Sequence, residues 1–388
     1  MEASTRKIYL ILLIGLVQLT AFGSDKLIFN SLDYKNGLSH NHIYCFAQDN
    51  NGFIWIGTRS GLNRYDGYNF KVFKHEQDDS TSIPGNVAQT IVKDQLGRFW
   101  IQVPTYLYIF NPDNEECINH FSLTADKKVY QNFNMDMMVP YGDSLVFIRI
   151  QGEGILKHNI YTNHNKLIAT QKGSKSPLLE LAISNITSDK NYLYVTYENG
   201  IVDIINPNTL KLERRIKEIA EQVKISGKLF ESFVTKRGDI WVFCNDEALG
   251  IFVIEKSGII KYFNTNSTPA LNSNNVSCIT EAPDGNIWIG TDHGGINILS
   301  NNKQSINYVT HNAFTESGLK QNVITELFVS KENIVWIGTF KQGINYYNKN
   351  IYRFHHYVSF PNNNKSLPYN DVKDRKSTRL NSSHITIS

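Results

Sequence analysis

The chain is 388 residues long, 41% hydrophobic, 12% aromatic and 19% charged, with a formal net charge of +3. It can bury a core, and no stretch after residue 23 holds the eighteen or so apolar residues that a membrane helix needs. The charge sits at the ends: Arg375, Lys376 and Arg379 supply +3 and the first 23 residues +1, which leaves −1 for the body and no electrostatic footprint for nucleic acid.

Arg6 and Lys7 precede the apolar run from Ile8 to Leu19, and Ala21-Phe22-Gly23 follows with small residues at the cleavage positions. Residues 1–23 therefore read as a signal peptide, which predicts export. The next segment, Leu27-Ile28-Phe29-Asn30-Ser31-Leu32, has the phase of a fourth strand but precedes the first complete unit.

From there the chain is periodic. Trp55-Ile56-Gly57-Thr58, Trp288-Ile289-Gly290-Thr291 and Trp336-Ile337-Gly338-Thr339 are nearly identical, and Trp100, Phe147, Tyr194 and Trp241 fill the same slot at intervals of 45 to 48 residues. An apolar strand such as Ile43-Tyr44-Cys45-Phe46-Ala47 precedes each anchor, and a turn such as Asp49-Asn50-Asn51-Gly52 joins the two. Asp and Asn fold onto their own backbone and Gly accepts positive φ, which is hairpin chemistry. A Gly opens the third strand, as in Gly61-Leu62-Asn63 and Gly343-Ile344-Asn345, and a more variable fourth strand ends near Phe70-Val72 or Tyr352-Phe354. Seven such units predict an all-β chain, a seven-bladed β-propeller of four-stranded antiparallel blades over residues 24–358. Closing the ring removes long exposed edges, and residues 27 to 32 are expected to complete the blade anchored by Trp336.

Residues 359–374, with Ser366-Leu367-Pro368-Tyr369-Asn370, read as the start of a further repeat of a truncated second propeller. Residues 375–388 fit neither the turn nor the strand pattern and read as a non-native tail. Cys45 and Cys278 occupy equivalent places two repeats apart and Cys244 sits three residues after Trp241, too far apart in a ring for disulfides, so free buried thiols are expected. No spacing of metal ligands is present, and neither a metal nor a cofactor is expected.

The pattern Asp-x-x-Gly-x-(Ile/Phe)-Trp-Ile-Gly-Thr followed by Gly-(Leu/Ile)-Asn resembles the two-component regulator propeller repeat, most clearly at the first, sixth and seventh units. That resemblance implies the periplasmic sensor region of a hybrid histidine kinase that responds to oligosaccharides and switches on genes for polysaccharide use. It also implies partners outside this sequence: a second propeller, a β-sandwich, a membrane helix and a kinase, with a homodimer in the full-length protein. No phospho-accepting His or ATP-binding motif can be assigned here, so no kinase activity is expected of this chain.

In a four-stranded meander the second-to-third loops and the inter-blade connections share one end of the ring. Candidate ligand contacts there are His40, His42, Arg59, Tyr106, Tyr197, Glu198, Asp292, His293, Phe340 and Lys341. Planar polar groups with a few aromatics suit a sugar, through paired hydrogen bonds and stacking on an apolar ring face. Asn86, Asn274, Asn275 and Asn322 in the connections have the alternative task of capping their own turns. Two other functions stay open. A secreted propeller lyase or hydrolase would need convergent carboxylates, for which Glu153, Glu198, Glu247 and Asp292 are unpaired candidates, and a protein-interaction scaffold would need none.

Overall fold

The computed structural model describes residues 27–349, apart from 80, 105, 119–120, 171–175 and 316, together with Leu367. The signal segment, residues 375–388 and all of 359–374 except Leu367 lie outside the described residues. Seven four-stranded antiparallel sheets follow one another along the chain. Every anchor falls in the second strand of its blade: Ile54–Thr58, Phe99–Val103, Leu145–Ile150, Leu193–Tyr197, Ile240–Cys244, Ile287–Thr291 and Val335–Thr339. Asn30–Leu32 is the outer strand of the seventh blade, paired antiparallel with Ile344–Tyr347 in the register Ser31↔Asn345. The expected clasp is present, and it closes the sheet with one strand from the start of the propeller and three from its end.

The anchors pack between blades. Trp55 lies within 5.2–5.5 Å, centroid to centroid, of Phe73 in its own blade and of Phe99 and Phe110 in the next. Trp336 of the last blade meets Phe46 and Tyr65 of the first, so the ring is sealed by aromatic packing as well as by the clasp. Two features were absent from the repeat pattern: a hairpin of Ser122–Ala125 and Lys128–Gln131 between blades two and three, and a short helix, Glu218–Val223, between blades four and five. The cysteines are free, three of them buried.

The recurrent motif is a hydrogen-bond device. Thr58, Thr291 and Thr339 donate from Oγ1 to the carbonyls of Gly61, Gly295 and Gly343 at 2.9, 2.9 and 2.7 Å. Those glycines have φ of +122°, +72° and +71°, and each N–H donates to the carbonyl of an Asn entering the next blade, Asn86, Asn322 or Asn41. The buried third-strand amides of Asn63, Asn297 and Asn345 accept from the backbone N–H of Ser39, Asn272 and Lys320 at 3.0, 2.9 and 3.2 Å. The glycine of the anchor motif has another task. A Cβ on Gly290 would stand 2.4 Å from Cys278 Sγ of its own blade's inner strand and 2.8 Å from Ile324 Cγ2 of the next blade, so the glycine is held between the two.

Opposite that glycine the inner strand bulges. The pairing skips Tyr44, Ser277 and Thr325 in blades one, six and seven, and Asp136 and Ser184 in blades three and four. A bulge re-aims side chains and sharpens local twist. In blades one, six and seven the skipped residues form a partial collar between the central channel and the recess beside it.

Candidate functional site

Inner strands from all seven blades surround a channel of about 560 Å³. It adjoins a wider mouth of about 800 Å³, and the two share Tyr44, Asn245, Ser277 and Thr325 as common wall. Both volumes lie in the range of roughly 300–1,000 Å³ usual for ligand pockets. The mouth is one-sided: His42 and Tyr44 come from blade one, Asn245, Asp246 and Glu247 from blade five, Asn275, Asp292 and His293 from blade six, and Gln321, Phe340 and Lys341 from blade seven.

Backbone pairing sets these loops. The residue after the second strand donates its N–H to the start of the same blade's inner strand: Arg59 to His42, Asp292 to Asn275 and Phe340 to Val323, at 3.3, 2.9 and 3.2 Å. Each second-to-third loop is thereby held beside an inter-blade connection. His42 stacks 4.4 Å from Tyr44 and meets Phe340 edge-on at 4.5 Å, giving an aromatic wall. Lys341 Nζ lies 5.1 Å from the Phe340 ring, and its backbone N–H donates to Gln321 Oε1 at 2.9 Å. Burial first, then the nearby His40 and Arg59 charges, lowers the pKa of His42 and keeps it a neutral imidazole near pH 7. At the rim the exposed His293 sits in left-handed backbone, φ +70°, with Nδ1 2.7 Å from Asp292 Oδ1. Asp246 accepts from Leu229 N–H at 2.9 Å, and Lys228 pairs with Glu247.

Five of the ten residues expected from the sequence therefore line one recess: His42, Asp292, His293, Phe340 and Lys341. The other five do not. His40 turns its Nδ1 back to accept from His42 N–H at 2.9 Å, and Arg59 is exposed beside it. Tyr106 is half-buried against the core shared by blades one and two, and Glu198 engages Ala182 and Lys228 through its backbone. Tyr197 is the clearest departure. It ends the second strand of blade four in the slot of Thr58, is fully buried, donates to Asp203 Oδ2 at 2.7 Å and accepts from Leu179 N–H at 2.8 Å. With Arg215 on the same carboxylate it replaces the Thr and Asn device of the regular blades, so it serves the core rather than the surface.

Asn86, Asn274 and Asn322 take the capping alternative, their side chains accepting from His75, Thr265 and His311 N–H at 2.8, 2.8 and 2.6 Å, as Asn41 does from Tyr34 N–H at 2.9 Å, whereas Asn275 lines the mouth. Sequence reasoning missed the inner-strand residues that line the depth, Tyr44, Glu231, Ser277, Thr325 and Glu326. The signal was available, since each lies ten or eleven residues before its anchor, but in blades one, six and seven the bulge hides which of two neighbours faces inward.

Residues 37–60 and 270–293 match the family described as Two component regulator propeller, so the chain carries these repeats in its first and sixth blades. A stretch of 60 residues is 40% identical to Histidine kinase P4 of Formosa agariphila, covering 16% of this chain and 4% of that protein. The extracellular domain of a hybrid two component system from B. thetaiotaomicron superposes with a TM-score of 0.66 at 21% identity, over 83% of this chain and 42% of that one. A second such domain from the same organism gives 0.63 at 19% identity, over 84% and 40%. The chain thus spans about two-fifths of the length of these ectodomains and shares their propeller fold.

Proposed function

We propose that this chain is the ligand-sensing propeller of the extracytoplasmic region of a hybrid two-component sensor histidine kinase, that it recognises oligosaccharides, and that through partner domains it regulates genes for polysaccharide use. The observation that carries the reading is the composition of the mouth. An aromatic wall of His42, Tyr44 and Phe340 comes from blades seven and one, and carboxylates and amides of Asn245, Asp246, Asn275 and Asp292 come from blades five and six. Sugars present an apolar ring face and paired hydroxyls, and this surface offers a partner for each. The likeness to hybrid two-component ectodomains supports the sensing role and an extracytoplasmic location. Among the described residues no group of three or more His, Cys, Asp or Glu is placed to hold a metal ion.

Calorimetry of the purified chain against a panel of neutral, amino and acidic oligosaccharides tests the reading. Phe340→Ala should weaken the best ligand by at least about tenfold, the loss of one aromatic anchor. Tyr161→Ala, at an exposed turn between the third and fourth strands of blade three, should leave binding unchanged. Equal affinity in Phe340→Ala would place recognition elsewhere.

A further inference from the structure

The mouth does not end at the collar. Tyr44, Ser277 and Thr325, the residues skipped by the inner-strand pairing, border both the mouth and the channel, so the two volumes adjoin along them. Basic side chains stop at the mouth. Lys341, His42 and His293 border the mouth beside its acids, whereas the channel wall holds Asp136, Glu231 and Glu326 and no Lys, Arg or His. Asp136 is answered by Arg149, whose Nε lies 2.6 Å away, and by Gln151 at 3.0 Å. Glu231 has only the Asn245 amide, and no cationic side chain among the described residues pairs with Glu326.

We propose that ligand enters this recess end-on, and that the channel admits a leading end that is uncharged or cationic, a neutral or amino-sugar terminus, and excludes a carboxylated or sulfated one. The inference rests on the mouth being a saccharide site. Its physical content is selection by repulsion. An anionic terminus would oppose Glu231 and Glu326 as they ionise, because neither has a cationic partner, and low-dielectric walls strengthen that opposition. Burial pushes Glu231 up to about 7 and Glu326 up to about 8, the latter further raised by Glu231. Near neutral pH the pair therefore retains protons and can both donate to and accept from hydroxyls, while an ammonium would draw the carboxyls into their charged form. Tyr44 and the Arg149-paired Asp136 share the channel wall with them, and the thiols of Cys278 and Cys45 beside them are held protonated by burial.

The test is calorimetry with three matched trisaccharides whose termini are a hexose, a 2-amino-2-deoxyhexose and a hexuronate. At pH 9 the first two should bind at least about tenfold tighter than the third, and the double variant Glu231→Gln, Glu326→Gln should erase that preference. Should the double variant fail to fold, the wild type supplies the readout, because the preference must grow from pH 5 to pH 9 as the carboxyls ionise. Equal binding of the acidic terminus, or a preference that neither the variant nor pH alters, overturns the proposal. If the termini bind alike while Phe340→Ala weakens all three, the mouth stands and the end-on selection falls. If no trisaccharide binds, or Phe340→Ala changes none of them, both readings fall.

Discussion

At the scale of single residues, the most consequential group is one the repeat pattern conceals. Glu326 occupies the slot opposite the anchor glycine, where Cys45 and Cys278 stand in other blades. Burial moves its carboxyl from 4.5 to about 8. The unfolded chain releases that proton near 4.5, so between these values the folded state holds more protons than the unfolded one. Its contribution is therefore most favourable below the lower value, and stability falls as pH rises through the window, levelling off above the higher value. Glu231, raised to about 7, acts in the same direction. Thermal melts from pH 5 to pH 9 should slope downward, and Glu326→Gln should flatten the slope and gain most at pH 9. An unchanged slope in the variant would mean that channel water solvates the carboxylate fully. The sequence reading reached His42, Asp292 and Phe340 because loop positions can be counted outward from the Trp anchors. It did not reach Glu326, because a one-residue bulge reverses the alternation on which inward and outward assignments depend.

At the scale of elements, the turn before each anchor shows why some blades are more regular than others. Six residues before Trp55 and Trp100 stand Asp49 and Asp94, whose carboxylates accept from the indole Nε1 at 2.8 and 3.0 Å and also gather two backbone N–H groups of the turn. In blades five and seven the same position is Thr235 and Ser330, and Trp241 Nε1 and Trp336 Nε1 are buried without an acceptor. A buried donor left unmade costs about 1–3 kcal/mol. Ser330→Asp should therefore raise stability by about 1 kcal/mol, read from urea melts. Asp49→Ala, which strips three donors at once, should lower it by about 2 kcal/mol or more. If Ser330→Asp destabilises, the seventh turn does not share the geometry of the first. This turn was legible as hairpin chemistry, yet its bond to the indole was not, since nothing in a sequence says which side chain an Asp will meet six residues on. The hairpin at residues 122–131 and the helix Glu218–Val223 were hidden for a different reason. Both lie within inter-blade connections of ordinary length, so the interval between anchors stays at 47 residues and the spacing registers no insertion.

At the scale of the whole molecule, closure decides whether seven weak sheets behave as one structure. The clasp was legible because residues 27 to 32 carry the phase of a fourth strand with no complete blade before them, and a ring is the one arrangement that gives such a strand a partner. The structure adds how the clasp is held. Three residues, Asn30–Leu32, supply the pairing, a short ladder for so large a ring. Phe29, 3% exposed, adds side-chain grip: it packs into the core shared by blades six and seven and lies 6.0 Å from Tyr347. Its backbone N–H also donates to Ser317 at 2.9 Å. Phe29→Ala should cost about 3–5 kcal/mol, the range for emptying a buried Phe site. Phe133→Ala, at a ring that is 59% exposed, should stay within about 0.5 kcal/mol. The shape of the melt matters as much as its midpoint. In a closed ring every blade borrows half of its core from a neighbour, so loosening the clasp should move one cooperative transition to lower temperature, with tryptophan fluorescence and far-ultraviolet circular dichroism still coincident. An early, separate fluorescence transition in Phe29→Ala would instead show the ring opening at the seam between blades seven and one, with Trp336 leaving Phe46 and Tyr65 while the other blades hold.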